Sequence, residues 1–374
     1  MSYLVIHGGK KLSGIIANQS AKNSAVALLC AAVMIKGRTV LVDVPDIEEV
    51  RRIIELIESI GVLVQRPRPG VVEIDASKPL NMSAIDRAAC EKTRSSLMLL
   101  GALAAREKKY RLYRTGGCKL GERTVRPHLY ALERFGVHVV SKELYYDVVN
   151  EPLSAQHIVM YESGDTPTEN AVMAAVLAPG VSIIKMASAN YMVQDLCYFL
   201  VKAGAKIKGI GTTTLTITGV KHLKSVREYP LMPDPIVAMS YIAIAITTKS
   251  RLTIANCPLD FLELELLKLS VMGQEYRLIN ERRSKNGKFT IVDIEIIPSK
   301  LTALPDKLEC RPFPGLNIDN LPLFVPILSQ TKGRTLVHDW VYENRAIYFS
   351  DLKKLGAHID AVDIHRVWVE GPTI

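Results

Sequence analysis

Leu56-Ile57-Glu58-Ser59-Ile60-Gly61-Val62-Leu63-Val64 joins the end of a helix to the start of a strand through one glycine. The same run of leucine, apolar residue, glycine and strand returns in Leu132 to Val140, Leu200 to Ile207, Leu267 to Leu278 and Leu352 to Ile359. Its glycines, Gly61, Gly136, Gly204, Gly273 and Gly356, stand 75, 68, 69 and 83 residues apart. A recurrence of this kind marks repeated supersecondary units. Each copy opens with an apolar, alanine-rich helix, a short turn and a β-branched strand. Ser24 to Met34 leads through Lys36-Gly37-Arg38 to Thr39-Val40-Leu41-Val42, and Asn170 to Leu177 leads through Pro179-Gly180 to Val181-Ser182-Ile183-Ile184. Val237 to Thr247 and Leu323 to Ser329 stand in the same relation to Leu252-Thr253-Ile254 and Thr335-Leu336-Val337. A second helix follows with acids in its first turn, as in Asp46-Ile47-Glu48-Glu49, which suits the positive end of its dipole. The pattern predicts an α/β (α+β) fold of βαβαββ units, too large for a thin solenoid. Such units cluster with helices inside and sheets outside.

A chain of 374 residues is long enough for about two domains. The repeat is interrupted by two turn-prone strips, Ser13 to Ser20 and Ser225 to Met232, with Pro230, Pro233 and Pro235 stiffening the second. Placing the crossings there predicts one domain at 21–224 and another made of 1–20 and 225–374. With 48% hydrophobic and 23% charged residues the chain can bury a large core. The formal charge of +9 is scattered and aromatics are 6%, which argues against a nucleic-acid binder and for a small anionic substrate. Six cysteines lie far apart, with no CxxC pair and no signal-like start. This usage fits a reducing cytoplasm and predicts neither a disulfide framework nor a metal site. Ala25 to Ile35 is too short to span a bilayer, so no membrane is expected and the run reads as a buried helix.

Thr115-Gly116-Gly117-Cys118-Lys119-Leu120-Gly121-Glu122-Arg123 follows the strand-like Tyr110 to Tyr113. Glycines let a backbone approach a ligand, and Lys119 and Arg123 favour a thiolate and attract phosphate. The stretch reads as an anion-facing loop carrying a reactive thiol, with a plain surface turn as the alternative. Lys22 stands where a helix should begin, so an ammonium and a helix N-terminus would face one anion. A solvated lysine is the blander reading. Arg94, on a helix predicted to begin near Glu91, offers a planar fork for phosphate or carboxylate, or else a salt bridge to Glu91.

Five stretches together carry a family resemblance: Ser20-Ala21-Lys22-Asn23-Ser24, Lys92-Thr93-Arg94-Ser95-Ser96, Gly116-Gly117-Cys118 through Arg123, Pro312-Phe313-Pro314-Gly315 through Asp319, and Val341-Tyr342-Glu343-Asn344-Arg345. Over nearly its whole length the chain resembles the enolpyruvyl transferase family. Cys118 and Asn23 point to the branch acting on UDP-N-acetylglucosamine, since the shikimate branch lacks the loop cysteine and usually has serine at the second position. The resemblance implies a two-domain inside-out α/β barrel of three units per domain, closing on substrates at the interface. Five units are visible, and a sixth past Gly356 would run beyond Ile374, so the second domain is expected to be incomplete.

The resemblance also implies roles. Lys22 would hold the phosphate of phosphoenolpyruvate, and Asn23 would bond the sugar hydroxyl and the tetrahedral intermediate. Cys118 would protonate the methylene carbon and be the point attacked by the epoxide fosfomycin. Asp319 would take the proton of the sugar 3′-hydroxyl, with a helix N-cap as its plain alternative. Arg345 would stabilise charge at the reacting centre, or be an exposed helix arginine. Arg94, Arg123, Val125, Thr168 and Tyr342 complete the expected substrate contacts. The implied reaction moves the enolpyruvyl group from phosphoenolpyruvate to UDP-N-acetylglucosamine with loss of phosphate, the first committed step of peptidoglycan synthesis. It implies no metal or organic cofactor, a cytoplasmic location and a monomer, with a dimer as alternative.

Some positions depart from the family pattern. Thr124, Arg126 and Pro127 replace its usual proline, aspartate and leucine; Asn190 and Met192 stand in place of a glutamate pair; Ser163 to Thr168 is interrupted by Pro167. These changes keep two alternatives open: transfer to another nucleotide or sugar acceptor in secondary metabolism, and a non-catalytic sugar-nucleotide-binding paralogue. His128, His138 and His358 lack ligand spacing and read as packing or surface residues.

Overall fold

Gly61, Gly136, Gly204, Gly273 and Gly356 all take φ between 92° and 99°, a backbone that only glycine adopts without penalty. They appear in a computed structural model that describes residues 5–116, 124–342 and 345–373. Each ends a helix in the same way. The Gly204 N–H donates to Val201 O at 2.9 Å and the Ala205 N–H to Leu200 O at 2.9 Å, which satisfies two orphan carbonyls of the last turn. Gly61 with Val62, Gly273 with Gln274 and Gly356 with Ala357 repeat the pair of bonds. The recurring sequence is therefore a recurring helix stop, and the leucine or isoleucine four residues before the glycine (Ile57, Leu200, Leu269, Leu352) supplies the carbonyl that the residue after the glycine closes on.

The strands and helices follow in chain order. The first sheet elements are β1 (Ser13–Ala17), α1 (Lys22–Ala32), β2 (Arg38–Val42), α2 (Glu48–Ser59), β3 (Leu63–Gln65) and β4 (Val71–Asp75). Then come α3 (Arg87–Lys92), α4 (Leu99–Ala102), β5 (Lys109–Tyr113), α5 (Arg126–Arg134), β6 (Val137–Ser141) and β7 (Tyr145–Asn150). The third copy is β8 (His157–Val159), α6 (Asp165–Ala175), β9 (Val181–Lys185), α7 (Tyr191–Lys202), β10 (Lys206–Lys208) and β11 (Thr214–Thr218), followed by β12 (Val226–Pro230). The fourth is α8 (Pro235–Thr247), β13 (Arg251–Pro258), α9 (Glu263–Val271), β14 (Glu275–Arg283) and β15 (Thr290–Ile297). The fifth is β16 (Leu308–Glu309), α10 (Leu321–Leu328), β17 (Gly333–His338), α11 (Tyr348–Lys354), β18 (His358–Ala361) and β19 (Arg366–Gly371).

Among the described residues five sheets share one plan. The strand after the first helix pairs antiparallel with the last strand, which pairs with the one between, giving β2-β4-β3, β5-β7-β6, β9-β11-β10, β13-β15-β14 and β17-β19-β18. Four of them gain a parallel edge strand, β12, β8, β1 and β16 respectively.

The chain separates into two compact units. Among the described residues the first holds 20–116 and 124–232, and the second 5–19, 233–342 and 345–373. The N-terminal crossing lies within one residue of the expected one, whereas the second comes after 232 and not after 224 because that turn-prone strip contains a strand. Val226–Pro230 pairs parallel with β2, which keeps 225–232 in the first unit, and Ser13–Ala17 pairs parallel with β13 in the second. In the first unit, α1 is buried on every side from Ser24 to Ala32 and α6 from Pro167 to Ala175, the burial expected of helices enclosed by sheets. In the second, Met239 and Ile242 of α8, Leu266 and Leu269 of α9 and Phe324 and Ile327 of α10 pack with Ile254, Ile294, Val337 and Val369 from the strands. Cys30, Cys90, Cys197, Cys257 and Cys310 are buried free thiols; burial first of all pushes Cys90 and Cys257 up to about 12, which leaves them inert. Among the described residues no helix is long and apolar enough to cross a membrane, and no group of three metal-ligating side chains occurs.

Candidate active site

Lys22 is the first residue of α1, whose N-cap Ala21 makes no side-chain capping bond. The Lys22 Nζ lies 2.7 Å from Oε2 of Glu49, in the first turn of α2. Glu49 also accepts hydrogen bonds from Thr93 Oγ1 at 3.1 Å and from the Ser95 hydroxyl. Burial raises this carboxyl, but the Lys22 charge and the three hydrogen bonds outweigh it and hold Glu49 below the usual carboxylate range.

Thr93 and Ser95 flank Arg94, so Glu49 ties the Lys22 helix start to the arginine-bearing turn. Arg94 is not on a helix beginning near Glu91. α3 ends at Lys92, Thr93 is extended with φ −137°, and Arg94–Met98 is a 3-10 turn capped by the Thr93 hydroxyl on Ser95 N–H at 3.2 Å. Glu91 pairs instead with Arg87 at 2.6 Å. The Arg94 guanidinium donates to Thr124 O at 2.9 Å, beside the half-buried Val125 that precedes α5. Cys118 and Arg123 lie outside the described residues.

Asn23 donates from Nδ2 to the hydroxyl of Tyr191, the first residue of α7, at 2.9 Å. Thr168 is fully buried. Its hydroxyl donates to Gly164 O at 2.7 Å and accepts from Ser188 N at 3.0 Å, so it fastens the first turn of α6 instead of facing a ligand. Asp165 to Thr168 is that helical turn, and Pro167 fits there because a first-turn N–H has no intrahelical partner to lose. His128 is buried against α6, with Asn170 Nδ2 at 2.8 Å from Nδ1; burial, then the Arg94 charge, pushes it down to about 3, so it is neutral. His138 is near Glu151 at 3.4 Å, and His358 is exposed.

In the second unit the Asp319 and Arg345 predictions converge. Arg345 opens a 3-10 turn and is only 7% exposed; its Nη2 lies 3.2 Å from Asp319 Oδ1, and its Nε lies 3.5 Å from Asp339 Oδ2. It is thus neither exposed nor on an α-helix. Asp319 is 44% exposed, and Asn320, with no side-chain bond to the helix, occupies the N-cap of α10, so Asp319 is not that cap. Tyr342 presents its ring to the Arg345 guanidinium at 5.5 Å. Asp339 is fully buried and accepts from Tyr348 Oη at 3.3 Å; burial above all raises its carboxyl, against the opposing Arg345 charge. Arg345 Nη1 and Asp339 Oδ1 have no hydrogen-bond partner among the described residues.

Glu49, Asp339 and Tyr191 escaped the sequence reading. A signal existed for Glu49, since it is one of two acids in a predicted first turn, and none for Asp339, which no motif marked, or for Tyr191, whose partner is 168 residues away.

One fold and two clusters of this composition define an enolpyruvyl transferase. The family model for EPSP synthase (3-phosphoshikimate 1-carboxyvinyltransferase) matches residues 6–370, and the chain belongs to that family. It is 33% identical over 359 residues to UDP-N-acetylglucosamine 1-carboxyvinyltransferase 2 of Caldanaerobacter subterraneus subsp. tengcongensis, covering 96% of this chain and 83% of that protein. UDP-N-acetylglucosamine 1-carboxyvinyltransferase of Bacteroides fragilis is 30% identical over 380 residues, 99% of this chain and 86% of that protein. The solved enolpyruvyl transferase NikO from Streptomyces tendae superposes with a TM-score of 0.84 at 22% identity, covering 98% of this chain and 84% of that one, a likeness of fold.

Proposed function

We propose that this enolpyruvyl transferase joins phosphoenolpyruvate to the 3′-hydroxyl of UDP-N-acetylglucosamine in the cytoplasm, as the first committed step of peptidoglycan synthesis. The observation that carries the reading is the identity of 33% and 30% to two relatives of that name across 96% and 99% of the chain. In this reading Lys22 and Arg94, linked through Glu49, receive the phosphate and carboxylate of phosphoenolpyruvate, where arginine supplies a two-pronged donor. Asn23 meets the acceptor hydroxyl. The 3′-oxygen bonds to C2 while Asp319 takes its proton and Cys118 gives a proton to C3, forming a tetrahedral phosphate-bearing intermediate. Loss of a C3 proton and of phosphate then restores the double bond as an enol ether. Arg345 orients Asp319 and stabilises charge that develops at the reacting centre. General acid and base steps of this kind each contribute roughly 10² to 10⁴ in rate.

The test is phosphate release from phosphoenolpyruvate with UDP-N-acetylglucosamine as acceptor, in the full chain and in Cys118→Ala. Turnover that disappears with the sulfur supports the reading; turnover untouched by its removal overturns the role of Cys118. A second reading, transfer to another acceptor such as a nucleoside monophosphate, is favoured by Thr124, Arg126 and Pro127 at the nucleotide loop. Release with that acceptor alone would select it.

A further inference from the structure

We propose that Tyr191 is a positioning residue that sets which edge of the Asn23 amide faces the acceptor hydroxyl; the proposal rests on the acceptor-contacting role given to Asn23 above. Tyr191 is fully buried, yet its phenol oxygen lies 2.9 Å from Asn23 Nδ2, and Asn23 itself is only partly covered. A phenol oxygen accepts from one amide N–H. That bond fixes the plane of the carboxamide and turns Oδ1 to the opposite edge, where no other hydrogen bond is made among the described residues. The phenol takes one of the two Nδ2 hydrogens and leaves the other to donate to the oxygen of a hydroxyl whose own hydrogen faces the base. With the phenol absent, rotation about the last side-chain bond would put the amide oxygen in place of the nitrogen at the edge that meets the sugar, where it would compete with the base for the hydroxyl hydrogen.

The phenol is itself held on a braced support. Asn190 Oδ1 accepts from the Tyr191 N–H at 2.9 Å, while Asn190 Nδ2 donates to Asp165 Oδ2 at 3.1 Å and Ser188 Oγ donates to Asp165 Oδ1 at 2.5 Å. The starts of α1, α6 and α7 are thereby joined by side chains. Asn190 and Met192, which stand where the family pattern has glutamates, bracket this tyrosine.

The experiment compares the wild-type chain, Tyr191→Phe, Asn23→Ala and the double variant in phosphate release with phosphoenolpyruvate and UDP-N-acetylglucosamine, with thermal unfolding of each. Phenylalanine keeps the buried ring, so the fold should persist with a midpoint within a few degrees. Loss of one orienting hydrogen bond should lower kcat about tenfold. The KM for phosphoenolpyruvate should stay within about twofold, and Tyr191→Phe should add nothing further in the Asn23→Ala background. A purely structural tyrosine would lower the unfolding midpoint and leave the kcat-to-KM split untouched. Equal kcat in wild type and Tyr191→Phe, or losses that multiply in the double variant, overturn the positioning role alone. No release by the wild-type chain with this acceptor overturns the acceptor reading, and the positioning role falls with it.

Discussion

Glu49 lies 2.7 Å from Lys22 and accepts hydrogen bonds from Thr93 and Ser95, the residues on either side of Arg94. One carboxylate therefore sets the spacing between two cations drawn from separate elements. Replacing it with alanine removes the tie the two share, and a site built on placed charges loses affinity when its support loosens. Glu49→Ala should raise the KM for phosphoenolpyruvate about tenfold. The fold should survive, because the carboxylate is partly exposed and its ion pair, discounted for solvent screening, is worth about 1 kcal/mol. The sign of the pH dependence follows from the lowered carboxyl. Its contribution is present above the unfolded value of about 4.3 and is lost as pH falls through the folded value. Glu49→Gln should accordingly be less stable than wild type at pH 6 and converge with it in strong acid, as read by urea unfolding.

Arg345 and Asp339 make the opposite case, since both are withdrawn from water. Arg345→Ala would leave the Asp339 carboxyl buried with the Tyr348 hydroxyl as its remaining described hydrogen-bond partner. Stranding one member of a buried pair typically costs about 3–5 kcal/mol. Asp339→Asn in the same background should restore part of that loss, because a neutral amide needs no counter-charge. Thermal unfolding of the two single variants and the double one measures the coupling. Strict additivity would show that the pair is not the source of the loss.

The repeat was legible because a left-handed helix stop demands glycine whatever surrounds it, so Gly61 and its four counterparts carry fold information in their own identity. The parallel edge strands were not. Val226–Pro230 contains Arg227, Glu228 and a proline, and Ser13–Ala17 contains Gly14; each is a strand only because a neighbouring sheet supplies the ladder. The break at Thr93 was hidden for a similar reason, its extended backbone being stabilised by the hydroxyl contacts to Glu49 and Ser95. Of the site, Lys22, Asn23, Asp319 and Arg345 could be singled out by motif, whereas Glu49, Asp339 and Tyr191 act through partners 27, 6 and 168 residues away. Thr168 matched a motif position and proved to be a structural tie.

Glu169 supplies a pH test independent of the reaction. It is fully buried in α6, neither carboxylate oxygen has a hydrogen-bond partner among the described residues, and burial, then the Asp165 charge, raises its carboxyl well above the ordinary range. The folded chain therefore keeps this group protonated where the unfolded chain releases the proton. Its contribution to stability is full below about pH 4.3 and declines as pH rises toward the folded value. Glu169→Gln is neutral throughout and cannot make that decline. Its stability relative to wild type should be near equal at pH 4 and clearly higher at pH 8, read by denaturant unfolding; a constant difference across that range would place the titration elsewhere.

Gly101 in α4 lies directly against Asn170 of α6. Its N–H donates to Asn170 Oδ1 at 2.8 Å, and a Cβ there would stand 2.6 Å from the Asn170 carbonyl oxygen and 2.9 Å from its Cα. Two of these contacts are backbone, so no side chain can swing away to make room. Asn170 cannot yield easily either, since its Nδ2 also donates to Leu97 O at 3.1 Å and approaches neutral His128. A single methyl group must then force α4 and α6 apart. Overpacking of this kind costs about 1–3 kcal/mol, and loosening the Gly101 bond to Asn170 adds about 1 kcal/mol more. Alanine is the better helix former by about 1 kcal/mol, so Gly101→Ala is expected to destabilise by a net of about 1–3 kcal/mol. If its unfolding midpoint instead rises, helix propensity outweighs the close approach, and the two helices are not locked by Asn170.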